Sequence, residues 1–283
     1  MNESMKEYIH LKKQFQAQDK DSSSVLAFYE FADRLTLLET PEAKQVLVEV
    51  YQELGLYASA FALFSKLVDK SDRKQVKKLF TLEKMSLSHG DRFALSRPLT
   101  EKEKEAHKEK VSELPTFRYH PDPLATGSFK EGEPKTCPSC GEDHTIYYAL
   151  RPYCVEELRH LCPTCISTGR AAQKFEAEFI QDADWQGVMD KEKDQILFCQ
   201  TPGYSSLQGE FWLSCCQDYC AYLGTVGTRE LEEMGIAEQV LAEYEARDEF
   251  QDVAEYLVKD GSMCGYLFRC LHCEQYHLWV DAD

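Results

Sequence analysis

The stretch Cys137-Pro-Ser-Cys140-Gly141, followed after 21 intervening residues by Cys162-Pro-Thr-Cys165, decides how this chain is read. A Cys-x-x-Cys turn places two sulfurs on one ion while backbone amides turn toward them, and two such turns complete a closed tetrahedral thiolate site. Gly141 permits the left-handed turn that ends such a knuckle. A helix expected after Cys165 puts that sulfur near a positive helix end. The expectation is one zinc ion held by Cys137, Cys140, Cys162 and Cys165.

Working outward, the same chemistry recurs. Cys216-Gln-Asp-Tyr-Cys220 and Cys270-Leu-His-Cys273 have gaps of three and two residues, with 49 residues between the pairs. The spacing predicts a second zinc ion on Cys216, Cys220, Cys270 and Cys273, with the neighbouring Cys215 able to replace Cys216 by a shift of register. His272, inside the last turn, is expected to point outward; His144, four residues after Cys140, either sits at the surface beside the first site or substitutes as a ligand there. Cys154, Cys199, Cys215 and Cys264 are left over as small buried apolar groups. Eight cysteine ligands fill two closed sites. Neither would keep an open position for a water nucleophile, which argues against a zinc hydrolase.

The charge supports a modular reading. The chain has 283 residues, with 32 Lys and Arg against 49 Asp and Glu, net −17. Residues 1–110 are net +1 and residues 111–283 are net −18, and all 12 cysteines fall at or after Cys137. So acidic a surface repels nucleic acid and anionic membrane and suits a basic partner. The start, Met1-Asn2-Glu3-Ser4-Met5-Lys6-Glu7, has no apolar signal region, and no apolar run of membrane-spanning length occurs. The expected compartment is the cytoplasm, where thiols stay reduced and cysteines serve metals rather than disulfides.

Three regions emerge: a helical part over 1–98, a charged helix or linker over 99–113, and a zinc-binding domain over 114–283. In the first, residues 24–38 have apolar groups at helical spacing, and Thr40-Pro41 caps and opens a helix that stops at Gly55. Helices follow from Tyr57 to Val68 and from Ser71 to His89. Tyr51, Gly55, Tyr57, Ala60, Phe64 and Leu67 fall at the later positions of a tetratricopeptide repeat, so 41–68 resembles one such hairpin. It reads either as an ordinary helical hairpin or as a peptide-binding module. Residues 99–112 alternate in charge and have almost no apolar face. The last region mixes strands (Thr145–Leu150, Phe211–Leu213, Ala221–Val226, Tyr266–Phe268, His277–Val280) with helices at Ala171–Ile180, Leu231–Tyr244 and Glu249–Val258. The fold class is α+β: an all-α extension and a mixed domain built around two zinc knuckles.

Several segments carry a resemblance. They are Leu114-Pro-Thr-Phe-Arg-Tyr-His-Pro-Asp-Pro-Leu-Ala-Thr-Gly-Ser128, Cys162-Pro-Thr-Cys165-Ile-Ser-Thr-Gly-Arg-Ala-Ala172 with Lys174-Phe175, Thr201-Pro-Gly-Tyr204, and Glu210-Phe-Trp-Leu213 with Cys216-Gln-Asp-Tyr-Cys220. Gly265-Tyr-Leu-Phe-Arg-Cys-Leu-His-Cys273 and Leu278-Trp279-Val280 complete the set. Over residues 114–283 the chain resembles the CbrC family of bacterial proteins, with Thr164 standing where that pattern has Trp. The resemblance implies a small zinc-binding protein linked to tolerance of a nuclease colicin. Residues 1–112 lie outside it.

The function expected first is therefore a non-enzymatic tolerance or immunity protein whose acidic zinc domain binds a protein partner, such as a basic toxin. A second reading is an enzyme with a site between the zinc lobes, using Tyr119, His120, Asp122 and Arg170, or a Cys154–His160 dyad. The plain alternative for 118–123 is a Pro-bounded structural turn. No phosphate-binding Gly loop, G-x-S-x-G elbow or H-E-x-x-H pair is present. A third reading is a nucleic-acid-binding zinc ribbon, which the acidic charge and the lack of basic residues interleaved with aromatics around both knuckles disfavour.

Overall fold

The structure, a computed structural model, describes residues 2–18, 20–91, 94–247 and 252–282. The chain divides into two compact units, Met1–His107 and Lys108–Asp283.

The first unit is built from α1 (Glu3–Ala17), α2 (Ser22–Thr36), α3 (Pro41–Glu53), α4 (Tyr57–Phe64) and α5 (Arg73–Ser88). Side chains of Asn2, Asp21, Thr40 and Asp72 accept backbone N–H bonds at the starts of α1, α2, α3 and α5, satisfying donors that have no partner within the helix. Phe15, Phe28, Phe31, Leu35, Val46 and Val50 share one core, and Val48, Ala60, Phe64 and Leu82 share a second. Consecutive helices pack on each other, with the small Ala60 fully buried at the α3–α4 seam. Gly55, at φ +78°, makes the turn between them. α4 ends at Phe64 rather than Val68, because residues 65–67 close as turns. α6 (Glu101–Ser112) buries nothing, as its alternating charges predict. Its start is closed by a reciprocal pair: Thr100 Oγ1 accepts from Glu103 N, and Glu103 Oε2 accepts from Thr100 N.

The second unit opens with a hairpin of β1 (Phe129–Thr136) and β2 (Asp143–Tyr148). Next come α7 (Pro163–Ser167), α8 (Arg170–Phe175), β3 (Asp182–Ala183) and α9 (Lys191–Gln200). β4 (Phe211–Trp212) pairs in parallel with β3, and β5 (Ser214–Cys215) with β6 (Asp218–Tyr219) makes a tight hairpin. β7 (Ala221–Val226), α10 (Thr228–Glu233), α11 (Ala237–Arg247), β8 (Met263–Arg269) and β9 (Tyr276–Ala282) follow. β7, β8 and β9 form an antiparallel sheet in that order.

Strand alternation sorts this sheet's two faces. Leu267 of β8 packs with Leu231, Val240 and Tyr244 of α10 and α11, while Cys264, Tyr266 and Phe268 face an aromatic core with Tyr119, Tyr204, Trp212 and Tyr222. Tyr204 stacks on Tyr222 at 4.3 Å between ring centroids. The helix expected over 231–244 is two helices, because Gly235 at φ +70° breaks it. The helix expected over 171–180 stops at Phe175, where Glu176 turns left-handed and the following Phe179 bonds to the Phe198 carbonyl. The acidic helix expected over 249–258 lies partly outside the described residues, and its described part is a short turn at Val253–Glu255.

Candidate metal centres

Each strand hairpin of the second unit that flanks a Cys-x-x-Cys pair is closed by that pair. Between β1 and β2, Cys137 N donates to Glu142 O at 2.8 Å; between β8 and β9, Cys270 N donates to Gln275 O at 2.8 Å. The residue after the second cysteine turns left-handed in both, Gly141 at φ +81° and Glu274 at φ +61°. The two knuckles are the same device used twice, and neither the hairpins nor this repetition was evident from cysteine spacing.

The first cluster is completed from a helix start. Cys162 is the N-cap of α7, with Pro163 in the first turn, and its sulfur accepts from Cys165 N at 3.4 Å. Cys137 Sγ accepts from Cys162 N at 3.3 Å. Cys137, Cys140, Cys162 and Cys165 converge, three of them buried. Lys174 ties the knuckle down through Pro138 O and Ser139 O at 2.7 and 3.1 Å. His144 Nε2 lies 3.7 Å from Cys140 Sγ, beside the cluster.

The second cluster differs from the spacing expectation. It consists of Cys215, Cys216, Cys270 and Cys273, without Cys220. Cys216 and Gln217 are the two central residues of the β5–β6 hairpin, both with positive φ, +51° and +59°. That is the geometry of a twist-matched two-residue turn, normally filled by Asn or Gly. It brings adjacent sulfurs to the hairpin tip, 3.8 Å apart. Cys220 lies beyond the turn's closing pair. Its backbone N bonds to Leu213 O, its carbonyl accepts from Trp212 Nε1, and its side chain joins the aromatic core. Burial pushes its thiol well up.

The second cluster rests on Asp218, the residue that closes the hairpin. Its carboxylate has 1% exposure and accepts from Tyr119 Oη at 2.8 Å, Arg118 at 2.5 Å and His272 Nε2 at 2.9 Å. Burial opposes its charge, yet these three donors hold its pKa below the ordinary aspartate value. His272 is exposed over 49% of its side chain, as expected, but its Nε2 reaches this buried acid. Lys193 of α9 caps Gln217 O at 2.7 Å, and Tyr219 Oη donates to Asp194. The sequence carried no local signal for Asp218, whose partners lie 54 to 100 residues away.

Both clusters fit a tetrahedral metal. Four sulfurs at about 2.3 Å from zinc lie about 3.8 Å from one another. Here all members of each set lie within 4.8 Å, with Cys140–Cys162 at 4.0 Å and Cys215–Cys273 at 3.8 Å. Those separations are far from a disulfide bond, and all 12 cysteines are unpaired. In each cluster one thiol is biased toward thiolate. Burial opposes ionisation of Cys137, but the N–H groups of Cys162, Cys140 and Ser139 bring it down to about 7. Burial likewise opposes Cys270, and the N–H groups of Cys273 and His272 bring it to about 6. Burial pushes Cys162, Cys165 and Cys215 up. Crowded thiols of this kind are what a divalent cation neutralises.

The other candidate residues are not assembled. His120 is fully buried. Its Nδ1 donates to Pro202 O, its Nε2 accepts from Thr126 Oγ1, both at 2.7 Å, and burial holds its pKa at about 4. Tyr119 serves Asp218, Asp122 caps the turn at Ala125, and Arg170 opens α8 exposed to solvent. Cys154 Sγ bonds to Glu156 O, while His160 packs edge-on to Tyr147. Among the described residues no helix is long and apolar enough to cross a membrane.

The profile described as Uncharacterised protein family (UPF0167) matches residues 114–282. UPF0167 protein PA1536 of Pseudomonas aeruginosa is 38% identical over 176 residues, 59% of this chain and 97% of that protein. UPF0167 protein Mb2317 of Mycobacterium bovis and UPF0167 protein MT2352 of Mycobacterium tuberculosis are each 38% identical over 176 residues, 59% of this chain and 93% of theirs. No solved structure matches. The matched residues contain both cysteine clusters, and on that span the chain belongs to the uncharacterised protein family UPF0167.

Proposed function

We propose that this chain is a zinc-organised acidic binding protein whose two closed four-cysteine sites shape a surface for a basic protein partner. The observation that carries the reading is the coincidence of both clusters with the whole net charge. Lys108–Asp283 has 15 Lys and Arg against 32 Asp and Glu, net −17, while Met1–His107 is neutral. Two zinc ions on eight thiolates make that unit more negative still, about −21 by charge counting. Four sulfurs per ion leave no open coordination position, so the metal's work is structural: it replaces core that loop-rich segments cannot supply.

Opposite charge raises encounter rates strongly at low salt, so the partner class that this surface favours is a basic protein. The resemblance to the CbrC family narrows that class to nuclease toxins of the colicin kind, met in the cytoplasm where thiols stay reduced. Calorimetric titration of the zinc-loaded full chain with a purified basic nuclease domain tests this. The expected result is saturable binding that weakens steeply as salt rises. Absence of binding at low salt overturns the partner assignment, and a chain purified with under one zinc overturns the metal assignment.

A further inference from the structure

We infer that the loop between the two Cys-x-x-Cys pairs of the first cluster carries an anion site for a phosphate group. β2 ends at Tyr148, and Tyr148 N donates to Leu161 O at 2.8 Å. Residues 149–160 are therefore a closed loop with tied ends, the kind of compact surface loop that often carries function. Leu158, 6% exposed, pins the loop to the core, and Cys162 follows directly. The loop and β1–β2 enclose a pocket of about 230 Å³, lined by Lys130, Tyr147, Leu150, Arg151, Arg159 and His160. Its size suits a small anion rather than a larger organic ligand.

The charge of the pocket is the reverse of its surroundings. In a unit of net −17, three of its 15 Lys and Arg and one His line a single cavity. The aromatic part of the lining is fixed by packing, and the exposed Lys130, Arg151 and Arg159 reach over it. Tyr147 lies opposite Lys130 in the strand register, and its hydroxyl lies so close to Gly132 that a Cβ there would stand 2.8 Å away. The His160 ring packs edge-on to Tyr147 at 4.8 Å between centroids, and its backbone is held at φ +60°. Two guanidinium groups beside an ammonium and an imidazole match the several acceptor oxygens of a phosphate, which arginine engages with paired N–H groups.

One acidic side chain already serves both arginines. Glu157 lies 2.6 Å from Arg159 and 3.4 Å from Arg151, and it is exposed. An exposed pair of this kind contributes little stability, so a dianion can displace the carboxylate. Glu157 acts as an internal competitor that holds the arginines apart from solvent anions of single charge.

The test is amide chemical-shift titration of the zinc-loaded full chain with inorganic phosphate, then with phenyl phosphate. Saturable shifts confined to Tyr147, Ala149, Arg151 and His160 are expected, with phenyl phosphate binding tighter where its ring meets Tyr147 and Leu150. The double change R151Q/R159Q should weaken binding at least about tenfold. E157Q should strengthen it, and R170Q, outside the pocket, should leave it unchanged. If the double variant misfolds, K130Q carries the same expectation of weakened binding. Lack of saturation at tens of millimolar phosphate, or equal loss on R170Q, overturns the site.

Discussion

The two cysteine clusters use the same knuckle but differ in how deeply they are set: three cysteines of the first are buried and one of the second. The first is held by apolar packing. Cys137, Cys162 and Cys165 are members of a core with Phe117, Phe129, Leu161, Ile166 and Phe179. The second reaches the surface: Cys216 and Cys273 are exposed, Cys270 is buried in the aromatic core with Cys215 packed against it, and one buried carboxylate with its donors supports the tip from beneath. A metal ion at the first site would be continuous with the hydrophobic core, so losing it would remove core. One at the second would pin a hairpin tip, so losing it would free that tip. The same four-sulfur chemistry would then give two different degrees of dependence on the ion.

The largest test of that contrast is removal of one ligand from each cluster. C162S should abolish the cooperative melt of the second unit, because structural zinc contributes about 10–16 kcal/mol, as much as a whole domain's stability. C216S should lose one zinc and keep that melt. Thermal melts with zinc counts on both variants check this, and equal damage would erase the distinction between core-held and surface-held sites.

Acid should probe the core beneath the second cluster. His120 contacts Trp212 and Tyr222, and its pKa is lowered by burial from an ordinary 6.5 to about 4, with Asp122 as the acidic group acting in the opposite sense. The unfolded chain takes up a proton below pH 6.5 that the folded chain refuses until about 4. Stability should therefore fall as pH drops through this window, by about 3 kcal/mol in total. Denaturant unfolding of H120Q, compared with the parent between those pH values, should show a flatter profile. An unchanged slope would remove His120 from the account.

D218N should cost about 2 kcal/mol, since a buried acceptor serving Tyr119, Arg118 and His272 loses its charge. Zinc release from the second cluster, followed with a chromogenic chelator, should accelerate while release from the first stays constant. Acceleration of both would mean that the carboxylate supports the whole unit rather than one tip. The smallest expected effect is that of C220A. A deleted buried sulfur costs about 1 kcal/mol in packing, and both zinc ions should remain. Loss of an ion would return Cys220 to the ligand set.

What the sequence made legible was local. The first cluster's four cysteines come from two turns of the same short spacing, and their order in the chain already pairs them. The charge boundary and the capped helices at Thr40-Pro41 were equally readable, because capping acts within three residues. Cys220 misled because a gap of three between cysteines looks like a loose knuckle. The actual device is a two-residue turn at Cys216-Gln217 with both residues left-handed, and no spacing rule announces that with Cys in place of Asn or Gly. Asp218 was invisible for a different reason: its role depends on Arg118, Tyr119 and His272, which only the folded chain brings together. Gly235 illustrates the middle case, a single residue that splits one apolar pattern into two helices.

Zinc-edge X-ray absorption of the purified full chain, normalised to protein, addresses the central claim most directly. Two zinc ions per chain are expected, each with four sulfurs at about 2.3 Å and no lighter ligand. Fewer than two ions, or a nitrogen or oxygen atom in the coordination shell, would contradict that claim.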